Sequence, residues 1–144
     1  MAARRDALAR WVPFLLRLFL GSLFIAHGAQ KLGIIDGSGL SGVASVAAHF
    51  KSIGITPPLL WAWIAALVEF FGGVAILFGL LTRAACALII IDMTVAIVKA
   101  HWAFGVTVGK EGFELALSLD LIAVGLLISG PGPFALDRIL GVEK

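Results

Sequence analysis

The chain has 144 residues, 60% of them hydrophobic and 14% charged, with a formal net charge of +2 and a mean hydropathy of +1.06. Soluble domains run at about 45–50% apolar and about 25% charged, so a water-soluble fold of this length has no way to hide so much apolar surface. Four membrane spans of about 20 residues each fill most of the chain, which predicts one integral-membrane domain, 1–144, with no room for a separate soluble catalytic domain. The basic residues are scattered singly, which argues against nucleic acid as a partner. Cys86 is the sole cysteine, so an intrachain disulfide, a C-x-x-C pair and a cysteine metal cluster are all excluded.

In chain order, a basic leader, Met1 to Arg10, precedes span one at about 11–31, an apolar run interrupted by Arg17, His27 and Gln30. The leader superficially matches a secretory or twin-arginine signal. Arg17 splits the apolar core and no clean cleavage site follows, so the segment is expected to be retained. The longer connection that follows offers Val43, Val46, Ala47, Phe50 and Ile53 at helical spacing. It predicts a short amphipathic helix between spans one and two, lying on the membrane or capping the bundle, with His49 on its surface; an ordered loop packed on the bundle is the alternative. Span two is predicted at about 58–81, opened by Pro57-Pro58, span three at 83–102 and span four at 112–129. The very short connection around Gly79 to Thr82 makes spans two and three antiparallel neighbours. Gly130-Pro131-Gly132-Pro133 ends span four, and Phe134 to Leu140 reads as a short amphipathic tail.

With four spans both termini share one side. That side carries Arg4, Arg5, Arg10, Arg83, Arg138 and Lys144 against Lys31, Lys51, Lys99 and Lys110 opposite, which favours cytoplasmic termini. Trp11 then falls at the inner interface and Trp61, Trp63 and Trp102 at the outer one, where aromatic belts belong.

Charges inside spans are costly, so they face the bundle interior or a wet cavity. Glu69, Asp92 and Asp120 stand near the centres of spans two, three and four. Three carboxylates at one depth cannot all stay ionised in a dry core: either some are protonated or cations sit among them. Arg17, Gly21, Phe24, Gly28 and Lys31 share one face of span one, and Glu69 shares its face with Gly72, Gly73 and Ile76. These small-residue seams let membrane helices approach closely, and an Arg17–Glu69 ion pair is expected across them. Toward the outer ends, His27, Gln30, Lys31, His101, Glu111 and Glu114, with Asp92 and Lys99 on one face of span three, would line an outward-opening polar pocket. The alternative is that the lysines and His101 snorkel to the interface. His27, His101 and a carboxylate are metal-ligand types, but their spacing forms no metal motif. Cys86 lies among alanines, with no local base or cation to activate it.

The pattern Arg17-x-x-x-Gly21-x-x-Phe24-x-x-His27-Gly28-x-x-Lys31, then Glu69-x-x-Gly72-Gly73-x-x-x-Leu77-x-Gly79-x-x-Thr82-Arg83, Gly112-x-Glu114 and Gly130-Pro131-Gly132-Pro133 resembles the DoxX family. The resemblance runs from Arg17 to Asp137. It implies a small four-helix protein of the bacterial or archaeal cytoplasmic membrane, of the kind named after the DoxD type of thiosulfate:quinone oxidoreductase subunit. It also implies a role in thiol or quinone stress beside soluble redox partners, and it singles out Arg17, His27, Lys31, Glu69 and Glu114. The missing C-x-x-C separates this chain from four-helix thiol oxidoreductases.

The expectation is therefore an all-α, four-span bundle whose outward pocket binds a quinone-like molecule and works with a protein partner or membrane complex. His27, Glu69 and Glu114 are the candidate catalytic residues, and Arg17, Lys31, Asp92, His101 and Asp120 the candidate binding residues. Two other functions stay open. A non-catalytic assembly subunit would use its buried charges only to set helix register. A small transporter would need a polar track from Arg17 through Glu69 to His27, and the lack of repeat symmetry or broken helices argues against it.

Overall fold

The computed structural model describes residues 9–35, 37, 39–102, 105 and 112–142. Arg4, Arg5, Lys110, Glu111 and Lys144 therefore lie outside the described residues. The elements are α1 (Val12–Lys31), α2 (Leu40–Ser52), α3 (Pro58–Phe78), α4 (Thr82–Ala96) continued by a π-helical turn (Ile97–His101), α5 (Glu114–Ser129) and α6 (Leu136–Ile139). Among the described residues there is no strand. Proline opens the first turn of both α1 and α3, where its missing N–H is no loss and its fixed φ suits a helix start. Gly79, at φ +66°, closes α3 in the left-handed conformation, so this helix stops three residues short of the expected Leu81.

Val12–Lys31, Pro58–Phe78 and Thr82–His101 are long and apolar enough to cross a membrane. The expected fourth span is represented by α5, whose 16 residues reach about 24 Å at 1.5 Å per residue, short of a hydrocarbon core of about 30 Å. The helices bury a shared core of Leu20, Phe24, Ile76, Ile89, Met93 and Leu126 with their neighbours. Their outer faces are as apolar as their inner ones: Phe19, Phe71, Leu88, Ile91, Leu121 and Ile128 are all exposed. Such a surface is stable only against lipid.

The closest helix pair is α1 with α3, and glycine permits it. A Cβ on Gly21 would stand 2.8 Å from Leu77 Cβ, and one on Gly73 would stand 2.6 Å from the Ile25 backbone nitrogen. Gly28 likewise lies directly on the Phe70 backbone. These three contacts run in opposite directions along the two helices, so they fix an antiparallel register, and that register decides which polar groups meet. The amphipathic segment is a helix as expected. Val43 and Ala47 on α2 are buried against Ala62 on α3, with Leu32, Phe50 and Trp63 around them, so α2 is held on the bundle by its apolar stripe.

Candidate functional site

The α1–α3 register sets Lys31, at the last turn of α1, beside Glu69 in the middle of α3. Lys31 Nζ donates to Glu69 Oε1 at 2.7 Å. The Glu69 side chain is only 2% exposed and that of Lys31 is 29% exposed, so the ammonium reaches inward from a partly open position to a buried carboxylate. Glu69 Oε2 is buried and accepts no bond from an N–H or hydroxyl donor. The Asp92 carboxyl on α4 lies close to both Glu69 and Lys31. A buried carboxylate needs a partner of opposite charge close by, and Lys31 supplies it.

Lys31 and Asp92 also face a cavity of about 760 Å³ enclosed by α2, α3 and α4. His49, Lys99 and His101, with Ser45 and Thr56, add to its polar lining, and Phe50, Trp61, Ile64, Leu88 and Ile91 form much of the apolar wall. The π turn matters here. In an unbroken α-helix His101, nine residues after Asp92, would lie on the opposite face, at about 180° around the axis. Lys99, seven residues after Asp92, shares its face already; the wider turn over Ile97–His101 brings His101 onto the cavity side as well, and such turns recur at functional sites. Several apolar wall residues, Trp61, Ile64, Leu88 and Ile91 among them, are also exposed on the outer surface. The cavity thus joins a charged end to a face that lipid would cover.

The expected Arg17–Glu69 ion pair does not form. In the antiparallel register Arg17, near the start of α1, lies beside the end of α3 and not its middle. Arg17 is 1% exposed, and its Nη2 donates to the carbonyls of Pro133 at 3.0 Å and Phe134 at 3.4 Å. Its guanidinium carbon lies 5.6 Å from the centre of the Phe14 ring. A Cβ on Gly79 would occupy the guanidinium's place, which is a second reason for glycine where α3 ends. Arg17 therefore clamps the Gly-Pro loop to the bundle, at the opposite end from the cavity.

The same end holds a residue that the sequence reading passed over. Asp137, in the short tail helix α6, is completely buried. Its Oδ1 accepts the Leu81 N–H at 2.6 Å, and its Oδ2 accepts the Thr82 N–H and hydroxyl, both at 2.9 Å. It serves as the N-terminal cap of α4 from 55 residues away. One signal for it was present: α4 is preceded by Leu81, which has no side-chain acceptor for the orphan N–H groups of a helix start.

The remaining candidates do not join the cavity. His27 is half-buried and packs edge-on against Phe24, with ring centres 6.4 Å apart, and Gln30 is exposed. Neither they nor Glu114 line the cavity, which corrects the expectation of one outer pocket containing all of them. Asp120 is separate from Glu69 and Asp92. Its Oδ2 accepts a 3.3 Å bond from the Thr94 hydroxyl and its Oδ1 is buried without a partner. His49 is exposed, as expected, and also lines the cavity. Among the described residues no three His, Cys, Asp or Glu side chains are grouped as metal ligands would be.

The family model for DoxX matches residues 12–102. The chain is 36% identical over 135 residues to the "Uncharacterized membrane protein Rv3486" of Mycobacterium tuberculosis, covering 87% of this chain and 78% of that one. It is 32% identical over 125 residues to the "Putative oxidoreductase CatD" of Bacillus subtilis, covering 85% and 82% of the two chains. It is also 29% identical over 124 residues to the "Inner membrane protein YqjF" of Escherichia coli, covering 86% and 88%. No solved structure matches the chain.

Proposed function

Because this chain belongs to the DoxX family of membrane proteins, we propose that it binds a quinone-like molecule in the cavity beneath α2, as the membrane subunit of an oxidoreductase. In this reading the protein is one domain in a bacterial or archaeal cytoplasmic membrane, α5 is its fourth span, and both termini are cytoplasmic. A redox protein partner supplies or removes the electrons, since the chain has one cysteine and no redox pair of its own. A relative bearing an oxidoreductase name is in keeping with this.

The observation that carries the proposal is the Lys31–Glu69–Asp92 triad opening into a cavity that is otherwise largely apolar. Amphipathic ligands are held by such sites: a few convergent polar groups fix the head while apolar walls take the rest. A quinone, when bound, takes two electrons and two protons to become the quinol. The chain's own part is to hold the head group and to exchange protons with it. Lys31 and His101 are the cavity-lining donors for a carbonyl oxygen, and Asp92, backed by Glu69, is the acid beside them. Trp61, Ile64 and Leu88 form the wall along which an apolar substituent leaves toward the lipid. Glu69 acts through Lys31 and Asp92 and is a positioning residue. His27 and Glu114 have no contact role in this site.

Trp61 in the wall makes the test direct, because quinones quench tryptophan emission. Decylubiquinone titrated into the detergent-solubilised protein is expected to give saturable quenching. Loss of one charge-assisted hydrogen bond is worth about 1.5–3 kcal/mol, so Asp92→Asn and Lys31→Met are expected to weaken the affinity by about tenfold or more. His27→Ala and Glu114→Gln are expected to bind as the unmodified chain does. Non-saturable quenching, or equal affinity in the Asp92 and Lys31 variants, sinks the assignment.

A further inference from the structure

A second cavity, of about 360 Å³, lies at the other end of the bundle and is framed by Arg10, Trp11, Ser129, Phe134 and Arg138. We propose that it is a binding site for the phosphate group of an anionic phospholipid.

The first ground is charge. Arg10 and Arg138 come from opposite ends of the chain and converge on one small cavity. Among the described residues neither lies within ion-pair distance of a carboxylate. Guanidinium groups bind phosphate oxygens through paired, directional hydrogen bonds. α1 begins at this cavity with no acidic residue in its first turn and no side-chain cap, so its positive end adds to the attraction. The Ser129 hydroxyl supplies a further polar group on the rim.

The second ground is that the cavity is built on fixed parts. Arg17, fully buried, holds the carbonyls of Pro133 and Phe134. A Cβ on Gly132 would stand 2.8 Å from Pro13 Cβ, so the Gly-Pro loop lies directly on the first turn of α1. Asp137, whose own N–H donates to the Gly79 carbonyl, anchors the turn of helix on which Arg138 stands. The site is therefore assembled by the fold before any ligand arrives.

The third ground selects lipid over free phosphate. Trp11, Phe14 and Phe134 form a mutual aromatic cluster, with ring centres 5.6–6.1 Å apart, and Phe134 is 72% exposed. Aromatic rings beside basic residues at the end of a span mark the headgroup level of the bilayer. Basic pockets at that level take anionic lipid headgroups. A free phosphate would gain nothing from the exposed rings, whereas the acyl chains of a phospholipid would cover them.

The site shares no residue with the cavity beneath α2, so its test stands apart from the quinone reading. Delipidated full-length protein in dodecyl maltoside is titrated by native mass spectrometry with dioleoylphosphatidylglycerol, dioleoylphosphatidylcholine and inorganic phosphate. Phosphatidylglycerol is expected to bind more tightly than the other two. Each basic residue near a membrane surface is worth about fivefold in affinity, so Arg10→Gln and Arg138→Gln are each expected to weaken binding about fivefold. The double variant is expected to weaken it about 25-fold at an unchanged unfolding midpoint, and Lys51→Gln, at the far end of the molecule, is expected to have no effect. Wild-type affinity in the double variant overturns the proposal. So does equal affinity for phosphatidylcholine, and inorganic phosphate that binds as tightly as phosphatidylglycerol replaces the lipid site with a phosphate site.

Discussion

Replacing Asp137 with alanine tests whether the tail helix staples the bundle. The carboxylate accepts two backbone N–H groups and one hydroxyl, at 2.6–2.9 Å, and no water reaches it. Asp137→Ala leaves the Leu81 and Thr82 N–H groups without their acceptor at a helix start that is buried at Thr82 and part-buried at the Leu81 bond. Each hydrogen bond to a charged group is worth about 1.5–3 kcal/mol. The Thr82 hydroxyl can turn to a carbonyl and recover part of its share, so the two N–H groups set the loss at about 3–6 kcal/mol. Asp137→Asn keeps one acceptor oxygen but turns an NH2 toward a donor, and should lose about half as much. Thr82→Ala deletes one bond, about 1 kcal/mol in the unmodified chain. Its effect should largely vanish when combined with Asp137→Ala, because residues sharing a hydrogen bond are coupled. Unfolding in mixed dodecyl maltoside and SDS micelles, followed by tryptophan fluorescence, measures all four variants. If Asp137→Ala costs less than about 0.5 kcal/mol, the level of an ordinary surface change, or if Thr82→Ala costs the same in both backgrounds, the cap is not formed and the reasoning fails.

Two more outcomes follow from the packing. Gly73→Ala places a methyl group against the Ile25 backbone, which cannot yield as a flexible side chain would. Overpacking of this kind costs about 1–3 kcal/mol and should lower the unfolding midpoint, whereas Gly125→Ala, where a Cβ would meet nothing within 4 Å, should not. Lys31→Met strands a buried carboxylate and should destabilise by about 3–5 kcal/mol. Adding Glu69→Gln should return much of that loss in the same unfolding assay, and a double variant no more stable than Lys31→Met alone refutes the pairing.

Much of the architecture was legible in the residues. Hydropathy marked α1, α3 and α4 within a few residues, and the helical spacing of Val43, Val46, Ala47 and Phe50 marked α2. The glycines of α1 and α3 marked the faces that meet. Burial cost alone singled out Glu69, Asp92 and Arg17, because a charge in an apolar run needs a special environment wherever the helix sits. Which of these charges meet was harder to read. Arg17 and Glu69 share the facing seams but not the same depth, and the depth follows from the register of α1 on α3, not from either helix alone.

The sequence by itself determined the solvent, the helices and the list of costly groups, since these depend on composition and on periodicities within about 20 residues. The tertiary structure alone decided that Lys31 and not Arg17 neutralises Glu69, and that Asp92 completes the group while Asp120 and Glu114 stay apart. It also decided that His49 and His101 face one cavity, through the packing of α2 and a single wide turn in α4. Asp137 is the clearest case: an unremarkable acid near the end of the chain becomes the cap of a helix 55 residues earlier. The reason is geometric. Hydrogen bonds and ion pairs act over about 3 Å, and no local pattern records which distant residues the packing of glycine seams will bring within that range.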